Sequence, residues 1–268
     1  QYPNLTTAGA WSTGGSLNTA RGALAGAGTQ SAGLAFGGGY PAKANTESYN
    51  GSSWTEVADL NTARASLAGT GTQTAALAFG GNPVRSLTES WNGSSWTEVA
   101  DLNTGRDNLG SATAGTNTDA LAFAGSAPSE TANTELWNGS SWTEVNNLNT
   151  ATRGVAGAGT STSALSSGGA NPGITTNTEQ YNGTSWTEVN NLNTARRNLA
   201  GAGINNTSAI VYGGYSTGYV GVTEEWNGTS WTEVADMATG RSESSSIGSL
   251  TSALAGGGYN GSYLTTTE

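Results

Sequence analysis

The chain has 268 residues, 19 of them acidic and nine basic, for a net charge of −10, and it contains neither Cys nor His. That excludes disulfide staples, Cys/His zinc sites and any Ser-His-Asp or Cys-His nucleophile built within the chain. The scattered basic residues leave no electrostatic footprint for nucleic acid, and no apolar run approaches the ~18 residues that span a bilayer. Leu, Ile, Val and Phe number only 36, about 13%, a share that would suit a disordered chain. Nine Trp and nine Tyr supply the apolar area that this count misses, and they recur in register.

From the N-terminus, the chain opens on Gln1 rather than Met, with no secretory signal in view, and reads as a processed product or an excised domain. Trp11 is the first of six markers, followed by Trp54, Trp96, Trp142, Trp186 and Trp231, spaced by 43, 42, 46, 44 and 45 residues. An Arg follows each by ten residues at Arg21, Arg64, Arg106, Arg196 and Arg241, and by eleven at Arg153. The second unit shows the pattern within one period. "RASLAGTG" from Arg64 is a strand of small residues, and "AALAFGG" from Ala75 is a second strand stopped by Gly80 and Gly81. "LTESW" from Leu87 is a third, Asn92-Gly93 is a hairpin turn expected in type I′ form, and "SWTEVADL" from Ser95 is the fourth. Four strands in each 42–46 residues is the signature of a propeller blade, whereas the dense Gly, Ser and Thr would break a helical repeat.

At the C-terminus the chain ends "TTTE" at Glu268, and it begins "QY"; joined, they spell the "TEQY" found at Thr178 to Tyr181. The expected fold is therefore all-β: a six-bladed β-propeller with four antiparallel strands per blade. It forms one domain over residues 1–268, in which residues 1–20 complete the sixth blade with 241–268. An N-terminal strand carrying Trp11 would close the ring and remove the free sheet edges.

The order Arg, small strand, apolar strand ending Gly-Gly, aromatic, then Trp resembles the Kelch repeat across essentially the whole chain. The doublets stand at Gly37-Gly38, Gly80-Gly81, Gly168-Gly169, Gly213-Gly214 and Gly256-Gly257, with Ala124-Gly125 departing from the pattern. The aromatics are Tyr49, Trp91, Trp137, Tyr181, Trp226 and, through closure, Tyr2. The resemblance implies a scaffold similar to the central domain of galactose oxidase, without its copper site, which needs the His and Cys this chain lacks. The units are shorter than the ~50 residues usual for Kelch, which implies short loops.

Each repeated residue has a structural and a functional reading. Trp11, Trp54, Trp96, Trp142, Trp186 and Trp231 are core fillers where blades fan apart, or exposed platforms for sugars. Arg21, Arg64, Arg106, Arg153, Arg196 and Arg241 belong with Glu47, Glu89, Glu135, Glu179, Glu224 and Glu268. These sets form structural ion pairs or backbone clamps, or else a ring of anion-binding arginines or a metal-binding carboxylate array. Repetition once per blade favours structure, because every blade must solve the same packing problem. The Asn-Gly-Ser/Thr sequons at Asn50, Asn92, Asn138, Asn182 and Asn227 are explained by the turns they form.

No catalytic residue, cofactor or metal site is assigned. The chain is expected to be a monomeric, non-enzymatic binding or structural module, a domain of a larger extracellular or virion-associated protein, with a protein or glycan ligand and no nucleic-acid or membrane partner. A multivalent glycan-binding lectin is the alternative; a carboxylate glycosidase and a duplicated or engineered scaffold without a ligand are further readings. Recognition is expected on the variable loops between second and third strands, where Tyr40, Tyr215, Tyr219, Tyr259 and Tyr263 lie.

Overall fold

The computed structural model describes residues 9–83 and 85–268. All regular structure in that span is β. The first blade is a meander of β1 (Ala25–Thr29), β2 (Ala32–Phe36), β3 (Thr46–Tyr49) and β4 (Trp54–Val57). The second holds β5 (Ala68–Thr72), β6 (Ala75–Phe79), β7 (Thr88–Trp91) and β8 (Trp96–Glu98). The third holds β9 (Gly110–Ser111), β10 (Ala120–Phe123), β11 (Thr134–Trp137) and β12 (Trp142–Val145). The fourth holds β13 (Ala156–Thr160), β14 (Ser163–Ser167), β15 (Thr178–Tyr181) and β16 (Trp186–Glu188). The fifth holds β17 (Ala200–Asn205), β18 (Ser208–Tyr212), β19 (Thr223–Trp226) and β20 (Trp231–Glu233). Every pair within a blade is antiparallel.

The expected six-bladed ring closed by an N-terminal strand is corrected by this topology. Among the described residues there are five four-stranded blades, and the sixth unit forms a two-stranded sheet, β21 (Ile247–Ser249) and β22 (Ser252–Leu254). The inner strands follow one another round the axis as β1, β5, β9, β13, β17 and β21, and β21 lies against β1. Among the described residues no N-terminal strand enters this circle. Residues 14–17 instead touch the C-terminal segment through an isolated bridge, Gly14 to Thr267, and a Leu17 amide bond to the Thr265 carbonyl at 2.8 Å. The physical reason is register. In the five full blades the third and fourth strands are joined by a short turn that fixes their pairing, and no such turn ties Thr265–Glu268 to Gly14. The expected contribution of Gln1 and Tyr2 lies outside the described residues.

Those joining turns also differ from the expected type I′. Tyr49 pairs with Trp54 across a four-residue loop, and only the glycine, Gly51, has positive φ. The asparagine closes the loop with its side chain: Asn50 Oδ1 accepts from the amides of Ser52 and Ser53 at 3.0 and 2.9 Å. The same arrangement recurs at Asn92, Asn138, Asn182 and Asn227. Short polar side chains that bond their own backbone two residues on suit such turns.

Small residues on the inner strands let neighbouring blades approach. A Cβ on Gly69 of β5 would stand 2.4 Å from Phe36 Cζ of the adjacent blade, so a methyl group there cannot be accommodated without movement. Farther out, aromatics fill the wedge. Trp96 meets Phe36 edge to face at 5.0 Å and its neighbour Trp91 at 5.3 Å, and its indole N–H donates to Thr46 Oγ1 of the preceding blade at 3.1 Å. Trp54, Trp142, Trp186 and Trp231 repeat that bond to Thr267, Thr88, Thr134 and Thr178. These five indoles are buried. Trp11, half-buried and outside any strand, donates to Thr223 at 3.0 Å and packs on Tyr212.

The first position of the Gly-Gly doublet is similarly constrained. Gly80 has φ +69°, and a Cβ there would come 2.7 Å from the Arg106 carbonyl oxygen. Ala124 occupies the corresponding position in the third unit at φ 58°, a left-handed conformation that costs an L-residue roughly 1 kcal/mol or more.

Candidate ligand-binding face

The repeated arginines knit one blade to the next from below the surface. Arg64 leaves the connection after β4 and reaches into the second blade. Its Nη1 donates to the carbonyls of Gly80 and Leu87 at 2.9 and 2.6 Å, and its Nη2 meets Glu89 Oε1 at 3.0 Å. Glu89 also accepts from the Asn61 amide and side chain at 2.7 and 2.8 Å. Arg21–Glu47, Arg106–Glu135, Arg196–Glu224 and Arg241–Glu268 form the same ion pairs, and all five guanidinium groups are fully buried. Burial lowers the pKa of each guanidinium, and the paired carboxylate opposes that shift. These arginines offer no charge to a solvent-borne anion.

Arg153 is placed differently. It is 40% exposed and pairs with Glu130 on the surface. Thr152, ten residues after Trp142, holds the position that Arg196 holds in the next unit, and Arg153 matches Arg197; Thr152 takes the buried site and bonds Ala170 O at 3.3 Å. Glu179 therefore has no guanidinium beside it; it accepts from Asn149 N, Asn149 Nδ2 and Thr150 N at 2.8, 2.8 and 3.0 Å.

Two residues beyond each of these positions the chain reaches the axis. Ala23, Ser66, Asn108, Gly154, Asn198 and Glu243 all have left-handed backbones, with φ between 51 and 65°. Their amides form a closed circuit. Ser66 N donates to Ala23 O, Asn108 to Ser66, Gly154 to Asn108, Asn198 to Gly154, Glu243 to Asn198 and Ala23 to Glu243, at 2.7–2.9 Å. The circuit rims a cavity of about 100 Å³ lined by the inner strands, room for about three waters at ~30 Å³ each. Sequence reading missed these residues. Their signal was a variable position two residues after the repeated "NTAR" stretch.

Beside this rim the five loop tyrosines come together. Tyr215 and Tyr219 follow β18, Tyr259 and Tyr263 follow β22, and Tyr40 follows β2. Tyr215, Tyr219, Tyr259 and Tyr263 form a continuous row with centroid separations of 5.4, 5.5 and 5.3 Å. The Tyr263 hydroxyl then accepts from the Tyr40 amide at 2.9 Å. The Tyr40 hydroxyl bonds Ser66 Oγ of the rim at 2.8 Å, which puts row and channel mouth on one face. The loops are pinned: Tyr215 exchanges two backbone bonds with Arg197, and Tyr259 two with Ser242, at 2.8–3.0 Å. Tyr40 is 52% and Tyr219 37% exposed.

The polar groups here are Arg197, whose guanidinium lies 5.4 Å from the Tyr215 ring centre, and Glu243, which accepts from Asn198 Nδ2 at 3.2 Å. Burial raises the Glu243 pKa, with the Asn198 bond and the charge of Arg197 pulling the other way. Burial also raises that of Tyr40, against its bond to Ser66. Asp107 is held by Arg85 at 3.2 Å and by Asn108 Nδ2 at 3.0 Å. Among the described residues no cluster of three or more acidic side chains could hold a metal. A larger cavity, about 490 Å³, lies at the outer seam between Trp11, Ile210 and Leu250, next to Gly9, the first described residue.

No family model matches the chain, and no curated protein does. Among 273 solved chains that match, the structure of YjhT, a propeller, superposes with a TM-score of 0.75 at 14% identity, covering 94% of this chain and 95% of that one. At that identity the likeness establishes the propeller fold alone, a scaffold that hosts many functions.

Proposed function

We propose that the chain is a non-enzymatic binding module that takes its ligand on the face where the channel opens, against the tyrosines of the fifth, sixth and first units. One observation carries this reading. Side chains as far apart in sequence as Tyr40 and Tyr263 converge on one pinned row, whereas the opposite face repeats the same self-satisfied Asn-Gly turns. Tyr offers apolar area with a hydrogen-bonding tip at low entropic cost, and loops already fixed by backbone bonds lose little freedom on binding. We also take the repeat to be of Kelch type, on the order of Arg, small strand, Gly-Gly, aromatic and Trp in each unit. The test is a double variant, Tyr215→Ala with Tyr259→Ala, assayed for ligand affinity by calorimetry. A loss of at least tenfold, about 1.4 kcal/mol, is expected. Unchanged affinity in a variant of unchanged melting temperature would remove this face from consideration.

A further inference from the structure

We propose that the ligand is an uncharged oligosaccharide lying along the tyrosine row, with its hydroxyl groups bonded to the rim of the channel; this rests on the face assigned above. Charge selects the class. The five repeat guanidinium groups are fully buried and paired, Asp107 is matched by Arg85, and Glu243 lies within the field of Arg197. Lys43 and Arg197 are the basic side chains of this face that stand outside the ion pairs, and the net charge of −10 works against a polyanion such as a sulfated glycan. Asp107 is already paired with Arg85, so Glu243 alone would face a cationic peptide.

What the face does present is hydroxyl chemistry beside ring surface. The Tyr40, Tyr263 and Ser66 hydroxyls, the Asn108 and Asn198 amides and the Glu243 carboxylate ring the mouth; the hydroxyls and amides can donate to and accept from sugar hydroxyls, and the carboxylate can accept from them. Tyr219 and Tyr40 expose ring area at which the C–H face of a pyranose can stack. The row of four rings, with steps of 5.4, 5.5 and 5.3 Å between centres, is longer than one monosaccharide. The sugar units would therefore lie along the row, across the mouth.

The experiment is isothermal titration of the whole chain with three neutral hexasaccharides (cellohexaose, laminarihexaose and maltohexaose), a heparin hexasaccharide and tetralysine, at low and high salt. At least one neutral hexasaccharide is expected to bind, with an affinity that salt does not change. Tyr219→Ala should weaken it at least tenfold, and Tyr219→Phe, which keeps the ring, by no more than about threefold. Failure of all three neutral probes to bind more tightly than about 10 mM overturns the proposal. Tetralysine or heparin binding that Tyr219→Ala abolishes, with no neutral sugar bound, overturns the ligand class while keeping the face. A neutral hexasaccharide that binds Tyr219→Ala and Tyr259→Ala as well as the parent chain overturns the face itself.

Discussion

Arg106→Ala removes the guanidinium group that ties the connection after β8 to the third blade. Arg106 is fully buried; it donates to Asn133 O at 2.7 Å, to Ala122 O at 3.4 Å and to Glu135 Oε1 at 3.1 Å. Breaking a buried pair on one side costs roughly 3–5 kcal/mol, because it strands the other charge. Here the stranded carboxylate keeps three donors, Asn103 N, Asn103 Nδ2 and Thr104 N, at 2.7, 2.9 and 3.2 Å. Glu179 persists in the fourth blade on the same three contacts without any guanidinium. The loss therefore comes mainly from the void and from the two lost carbonyl bonds, although Asn133 O keeps the Ala124 amide at 3.1 Å, which puts it at the low end, about 3 kcal/mol. At about 2–4 °C per kcal/mol for a chain of this size, the melting temperature should fall by about 6–12 °C. Urea unfolding followed by tryptophan fluorescence measures the change directly. A loss below about 1 kcal/mol would mean that the pair contributes no more than an exposed one, and the inter-blade clamp would have to be abandoned.

Three further outcomes are expected. Thr152→Arg should supply Glu179 with the missing guanidinium group and raise stability by about 1 kcal/mol; a fall in the urea midpoint would show that the fourth blade has no room for it. Gly69→Ala should cost about 1–3 kcal/mol by forcing Phe36 aside, and a neutral result in thermal unfolding would show that the blades have slack near the axis. Glu243→Gln tests a pH dependence. The Glu243 pKa is raised in the fold, so folding favours its protonated form, and its ionisation weakens the fold as pH rises through that raised value. Glutamine should therefore be more stable than the parent near neutral pH, with the difference vanishing as the carboxyl protonates in acid. Stability curves that run parallel from about pH 4 to pH 8 would contradict the sign.

Much of the propeller was legible because its determinants are local. Gly-Gly doublets stop strands, small residues mark inner strands, and the aromatic before Asn-Gly pairs with the Trp four residues after that Asn, as in Tyr49 with Trp54. What was not legible depends on three dimensions. The C-terminal "TTTE" reads like a third strand, yet pairing needs a turn to fix register, and among the described residues Thr267 forms isolated bridges with Gly14 and Gly256. Arg153 looks like its fellows, but it stands one position later, where the fifth unit has Arg197, and Thr152 holds the buried site. The Asn-Gly turn type was misread because the asparagine side chain, and not a second positive φ, closes the loop. The axial circuit escaped notice because its requirement is a left-handed backbone that Ala, Ser, Asn, Gly and Glu all meet, so no residue type announces it. The tyrosines were visible as loop residues; their meeting in one row depends on the curvature that brings the sixth unit beside the first.

Hydrogen–deuterium exchange of the chain with and without its tightest-binding hexasaccharide is the most direct test that ligands engage the channel-mouth face. We expect protection confined to residues 213–220, 257–264 and 39–44, with the rim at 196–199 and 241–244 slowed to a lesser degree. Protection of the opposite turns at 50–53, 92–95 and 138–141, with the tyrosine loops exchanging as before, would contradict it.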